Sequence, residues 1–221
     1  MPYKAVIFDF DLTLADATKG IYQCMNHALT HFGYPTKEDQ IIKKTIGYSI
    51  PDSFKILTGN ENQELAKQFM DVFVAKADKI MNMNTFVYPQ VYSVLPEIQK
   101  LGYKTAIVST KYRYRIEGIL ERENLQKYID YIVGGEDVTN HKPNPEGLIT
   151  SIKKMQLTPN DILYVGDSIV DAKAAENTKV DFCAVLTGTT ARDEFILQKV
   201  DFIIDNLDGL IQILRNDSQI N

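Results

Sequence analysis

Two aspartates, Asp9 and Asp11, follow the apolar run Ala5-Val6-Ile7-Phe8 at spacing i, i+2. Side chains alternate along extended chain, so both carboxylates are expected to leave the strand end towards one side. Two acids in one small space repel unless a cation or a proton sits between them. The pair therefore reads as a metal site, an acid/base site, or simply a turn after a buried strand, closed by Thr13. Other polar groups stand where short β-type runs end. Ser109-Thr110-Lys111 follows Thr105 to Val108, Gly166-Asp167-Ser168 follows Ile162 to Val165, and Lys142 lies in the loop His141 to Pro145 that opens the helical face of Leu148. Taken singly, Ser109 is a helix cap, Lys142 a solvated loop charge, and Asp167 with Asp171, i and i+4 on a helix start, a pair that suits the helix dipole. Taken together they put acid, hydroxyl and ammonium groups at strand ends facing one crevice, which is where open α/β sheets bind ligands.

The elements that must position these groups fall into two textures. Ile21, Met25, Ala28, Leu29 and Phe32 recur at helical spacing until Gly33 and Pro35 end the helix. Thr36 with Asp39 resembles a capping box opening a second helix through Ile46, and the run Gly47 to Pro51 breaks it. A short helix around Phe54 and Leu57 ends at Thr58-Gly59, and a longer one carries Leu65, Phe69, Val72, Phe73 and Ile80. Residues 16–83 thus read as a helical bundle without strands. Residues 1–15 and 84–221 read differently, as short strands alternating with amphipathic helices: strands at 105–108, 131–133, 162–165, 182–186 and 202–204. That alternation predicts an α/β fold, an open and mostly parallel sheet with helices on both faces. The polar tail, Arg215 to Asn221, is expected to fray.

Composition narrows the function. The 221 residues are 44% hydrophobic, enough for a substantial core, and the formal net charge of −5 comes with no Lys/Arg cluster interleaved with aromatics, which speaks against a nucleic-acid groove. No apolar run approaches membrane-spanning length, and no secretory leader is visible. Cys24 and Cys183 have no redox or zinc spacing and read as small buried hydrophobes in a reducing compartment, so the expected location is cytoplasmic. Nothing in the sequence fixes an oligomeric state.

Asp9-Phe-Asp11-Leu-Thr13, then Ser109, then Lys142, then Gly166-Asp167 with Asp171, resemble in order and placement the four motifs of the haloacid dehalogenase-like phosphohydrolases. The resemblance covers essentially the whole chain and implies a Rossmann-like core domain, 1–15 and 84–221, with a helical cap domain, 16–83, inserted after the first strand. Leu12 stands where most such phosphatases have Gly, and Ser109-Thr110 where many have Thr-Asn. Leu12 is expected to be tolerated because it does not touch the phosphoryl group.

The resemblance also implies roles. Asp9 would attack phosphorus to give an aspartyl phosphate, and Asp11 would protonate the leaving group and then take a proton from water. Mg²⁺ would be held by Asp9, the backbone carbonyl of Asp11, Asp167 and Asp171, while Ser109, Thr110 and Lys142 would hold the phosphoryl oxygens. Gly47 and Tyr48 belong to the candidate specificity loop of the cap, with hinges near Ala15-Asp16 and between Met81 and Phe86. The substrate implied is a small phosphorylated metabolite: phosphoglycolate, or else pyrophosphate. A β-phosphoglucomutase-like phosphosugar mutase would need a cap cation where this chain has Ile50 and Pro51. A dehalogenase would not require Asp11 or Asp167. A phospho-accepting receiver-like module, the non-enzyme reading, leaves the helical insert unexplained.

Overall fold

The computed structural model describes residues 3–218. In chain order the elements are β1 (Ala5–Phe8), β2 (Ala15–Asp16), α1 (Thr18–His31), α2 (Asp39–Lys43), α3 (Ile50–Thr58), α4 (Gln63–Ile80), β3 (Phe86–Val87), α5 (Val91–Lys100) and β4 (Lys104–Val108). There follow α6 (Arg113–Arg122), β5 (Tyr131–Val133), α7 (Glu146–Met155), β6 (Ile162–Gly166), α8 (Ile169–Thr178), β7 (Asp181–Val185), α9 (Arg192–Leu197), β8 (Phe202–Ile204) and α10 (Asp208–Ser218). Six strands form one parallel sheet in the order β5-β4-β1-β6-β7-β8. β1 is central, and its alternate residues feed two cores: Val6 and Phe8 pack with Leu95, Ile107 and Leu163 on one face, Ala5 and Ile7 with Leu148, Ile152 and Tyr164 on the other. A strand buried on both sides has to be apolar throughout, as this one is. The winding reverses beside β1, where β4 lies on one side and β6 on the other, so a crevice opens beyond the carboxyl ends of these three strands.

The insert after β1 has a core of its own. Leu29, Phe54, Phe69 and Phe73 are buried together, with the Phe54 and Phe69 ring centroids 4.9 Å apart. Apolar residues three and four apart along α1 and α4 supply that face. A two-stranded antiparallel ribbon of β2 and β3 joins the insert to the sheet. The sequence pattern shows no strand there because a two-residue strand is too short to display a period. Both expected hinge segments lie at this ribbon: β2 is Ala15–Asp16, and β3 follows directly on the Met81-to-Thr85 stretch.

Several boundaries differ from expectation. Thr36 does not cap α2; the helix starts at Asp39, and its first turn is closed by amides of Ile41 and Ile42 donating to the Glu38 carbonyl. α2 also stops at Lys43, short of Ile46, where the Thr45 hydroxyl takes the Ile42 carbonyl at 2.7 Å. The breaker at Gly47 is shorter than expected, since Ile50 and Pro51 already form the first turn of α3, capped by Ser49. Pro fits there because a first-turn N–H has no helical partner to lose. The tail frays less than expected: α10 continues to Ser218, and Asp217 accepts from the Tyr3 amide at 2.8 Å. Gln219 to Asn221 lie outside the described residues.

Candidate active site

Asp9, Asp167 and Asp171 come together at the crevice, all buried, each offering a carboxylate oxygen within 4.8 Å of the others. Asp9 follows β1, and its amide extends the ladder to the Val165 carbonyl at 2.9 Å. Asp167 follows β6 but is not on a helix, contrary to the i, i+4 expectation; Ser168 caps α8, and only Asp171 lies in its first turn. Thr13 donates to Asp167 Oδ1 at 3.1 Å. Asp171 is heavily engaged: its Oδ1 accepts from Lys142 Nζ at 2.6 Å and from the Tyr164 hydroxyl at 2.8 Å, and its Oδ2 accepts from the Ser168 hydroxyl at 2.5 Å and amide at 3.2 Å.

Lys142 reaches this cluster from the loop before α7 and is itself buried. Its Nζ lies 2.9 Å from Asp9 Oδ1 without the alignment of a hydrogen bond, so that buried oxygen has no hydrogen-bond partner among the described residues. Burial raises the Asp9 carboxyl to about 6, with Lys142 opposing and Asp171 reinforcing the rise. Burial also pushes Asp167 well above the carboxylate range, helped by the charges of Asp171 and Asp9. For Lys142, burial pulls downward, but Asp171 and Asp9 outweigh it and hold the ammonium above its ordinary value. Three carboxylates against one ammonium leave an excess of two negative charges when all are ionised. An all-oxygen cluster with one orphaned carboxylate oxygen and that charge excess fits a hard divalent cation. Asp9 and Asp167 are the better placed to give oxygens, since those of Asp171 are already taken.

Asp11 does not join them. The chain turns sharply after Asp9: amides of Leu14 and Ala15 donate to the Phe10 carbonyl at 2.9 and 3.1 Å, and Leu12 sits at φ 63°. The strand alternation that would have put both aspartates on one side therefore ends at Phe10. The Asp11 carboxylate accepts from Lys111 Nζ at 2.9 and 3.1 Å, outside the acidic cluster. Left-handed backbone also explains why glycine suits position 12, a constraint separate from any contact with substrate.

Ser109 is buried at the end of β4, where its Oγ accepts from the Lys111 amide at 3.3 Å. Thr110 points its hydroxyl at the Gly47 carbonyl, 3.5 Å away across the boundary with the helical insert. That close course of the chain past β5 needs Gly135, where a Cβ would stand 2.4 Å from the Thr110 carbonyl oxygen. Gly47 and Tyr48 line a cavity of about 70 Å³ between insert and sheet, walled also by Asp11, Lys111, Ile50 and Phe73. The sequence marks Thr13 only as a turn and motif residue and Lys111 only as a polar group at a strand end, and it does not mark Tyr164 or Gly188 as site residues. Gly188 approaches so closely that a Cβ there would fall 2.0 Å from Asp167 Oδ2. A faint signal existed for Tyr164 alone, a hydroxyl in an otherwise aliphatic strand.

The chain matches the family model described as haloacid dehalogenase-like hydrolase over residues 6–185. It is 29% identical over 217 residues to Pyrophosphatase PpaX of Bacillus cereus, covering 98% of each chain. A crystal structure from Bacteroides fragilis, described as a haloacid dehalogenase-like hydrolase, superposes with TM-score 0.92 at 41% identity, covering 94% of this chain and 99% of that one. A predicted phosphoglycolate phosphatase from Haemophilus somnus shares the fold, with TM-score 0.81 at 23% identity over 96% of this chain and 97% of its own.

Proposed function

The chain belongs to the haloacid dehalogenase-like hydrolases, and from that premise we propose that it is a Mg²⁺-dependent phosphatase acting on a small phosphomonoester through an aspartyl-phosphate intermediate. The observation that carries the reading is Asp9 Oδ1, a buried carboxylate oxygen with no hydrogen-bond partner among the described residues, set between an ammonium and two further carboxylates. A carboxylate oxygen at a strand end with no aligned donor keeps a lone pair for attack on phosphorus. Asp9, Asp167 and the Asp11 carbonyl would hold the cation, with Asp171 fixing Lys142 beside them. A bound Mg²⁺ supplies positive charge that offsets repulsion between an anionic nucleophile and an anionic phosphate.

Asp9 attacks phosphorus in line, and the bond to the leaving oxygen breaks as Asp11 delivers a proton to it. Water then attacks the aspartyl phosphate, giving its proton to Asp11, and Asp9 is released with inorganic phosphate. Lys142 and the Ser109 hydroxyl steady the transferring oxygens, with Thr110 beside them. Residues 16–83 act as a cap that closes over residues 1–15 and 84–221 on the β2–β3 ribbon, presenting Gly47 and Tyr48 to the substrate and excluding water. Free, buried Cys24 and Cys183 go with a cytoplasmic location.

Phosphoglycolate leads as substrate class. Pyrophosphate is the second reading, favoured by the full-length similarity to a relative of that name. The cap side of the cavity, among the described residues, presents Ile21, Ile46, Tyr48, Ile50 and Phe73 and no cation, which counts against a phosphosugar mutase gripping a second phosphate from the cap. The deciding experiment is phosphate release from phosphoglycolate and pyrophosphate with Mg²⁺ or EDTA, using Asp9→Asn as blank. Activity should vanish with EDTA and fall by about 10³-fold or more in the variant. Equal rates for variant and parent would remove Asp9 as the nucleophile.

A further inference from the structure

Lys111 is a buried ammonium with an unusual position. Its side chain is only 4% exposed, it stands two residues beyond Ser109, and it lines the cavity between the helical insert and the sheet. Among the described residues the polar partner of its Nζ is Asp11, whose two oxygens accept at 2.9 and 3.1 Å. An ammonium has three N–H donors, and this pairing uses at most two of them. The other cation lining the cavity, Arg115, is committed elsewhere. Its guanidinium donates to Asp78 Oδ1 at 2.7 and 3.0 Å and to the Val74 carbonyl at 3.2 Å, and it stacks near the rings of Tyr112 and Tyr114. Arg115 thus ties α4 of the insert to α6. The remaining wall is largely apolar, with Ile21, Met25, Ile46, Ile50 and Phe73.

We propose that Lys111 determines specificity in the leaving-group pocket, selecting phosphate esters whose leaving group carries a second anionic oxygen group, a carboxylate or a phosphate. The inference rests on the phosphatase reading above and names the class of leaving group. In the structure the ammonium stands against both oxygens of Asp11, the group assigned to the leaving oxygen. A second anion entering the cavity beside Asp11 offers Lys111 a charge-assisted partner at a side chain only 4% exposed and among largely apolar neighbours, where such bonds are stronger than in water. Shifting the ammonium onto that anion releases Asp11 towards the leaving oxygen. An uncharged leaving group makes no such exchange and leaves the ion pair closed. Selection therefore acts through one buried side chain in the wall of the cavity, on the sheet side, with no cation required from the cap.

The test compares phosphoglycolate and pyrophosphate with propyl phosphate, whose leaving group matches glycolate in length and lacks the anion. The parent should prefer phosphoglycolate, pyrophosphate or both over propyl phosphate in kcat/KM. Lys111→Met should lower that preference by about 10- to 100-fold, the usual weight of a hydrogen bond to a charged group, and Lys111→Arg should restore part of it. Whichever anionic substrate loses more identifies the group Lys111 holds. A parent without preference for either anionic substrate overturns the proposal, and this arm needs no variant to fold. A Lys111→Met protein slowed equally on all three substrates also overturns it, because a residue that merely positions Asp11 would give that result. The phosphatase reading fails separately, by Asp9→Asn retaining the parent's rate whatever the preference.

Discussion

Gly188 offers a test of the metal assignment that does not touch any of the acids. It follows β7, and a methyl group added there would stand 2.0 Å from Asp167 Oδ2 and 2.8 Å from Asp167 Cβ and Cγ. The backbone of Gly188 does not lie in the left-handed region, so alanine brings the clash alone, without conformational strain. To restore even a tight contact the Asp167 carboxylate must retreat by about 1 Å, a displacement that in active sites costs on the order of 10²-fold. Thr13 holds the other carboxylate oxygen at 3.1 Å, and backing away would stretch that bond too. Gly188→Ala should therefore raise the Mg²⁺ concentration for half-maximal phosphate release by about 10- to 100-fold, the range found when the support of a metal ligand is disturbed. The companion measurement is thermal unfolding with and without Mg²⁺. The parent should gain stability from the ion, and the variant should gain much less at the same concentration. If Gly188→Ala keeps the parent's Mg²⁺ dependence in both assays, Asp167 does not hold the cation.

The raised carboxyls predict a pH dependence for the metal-free protein. Asp9 at about 6 and Asp167, raised by the same burial, bind protons more tightly folded than unfolded, so over the window from about 4 to 6 set by Asp9 the folded state carries the extra protons and stability falls as pH rises. Mg²⁺ competes with those protons, so its stabilisation in thermal melts should be larger at pH 7 than at pH 5, and the reverse order would refute the shared site. Tyr164→Phe removes a buried hydroxyl that donates to Asp171 and lies 3.1 Å from Lys142 Nζ. It should cost about 1–3 kcal/mol in urea unfolding, and an unchanged midpoint would show that the network is not coupled to the fold. Leu12→Gly relieves left-handed strain of about 1–2 kcal/mol, yet it removes a side chain that is 2% exposed. Core truncations of that kind cost roughly 2–5 kcal/mol, so the net change should be destabilising, and a gain in stability would mean that strain dominates.

What the sequence determined was local and periodic. The strand runs end in Asp9, Ser109 and Asp167 because a buried parallel strand is a continuous apolar stretch, and its exit into the crevice is marked by the first polar residue. Helical spacing from Ile21 to Ile80 distinguished the insert from the alternating elements after Val87, and motif order carried the family. What only the tertiary structure decided was which charges meet. Asp11 lies two residues from Asp9 yet pairs with Lys111, because the turn at Phe10 to Leu12 breaks strand alternation and the sheet order sets β4 beside β1. Asp171 is spent on Lys142, Tyr164 and Ser168, which its spacing from Asp167 does not disclose. The β2–β3 ribbon escapes notice because two residues show no period, and the approach of Gly188 to Asp167 because glycine has no side chain to advertise a contact. Periodicity is written along the chain, whereas ion pairing depends on distances between segments far apart in sequence, and only the folded sheet sets those.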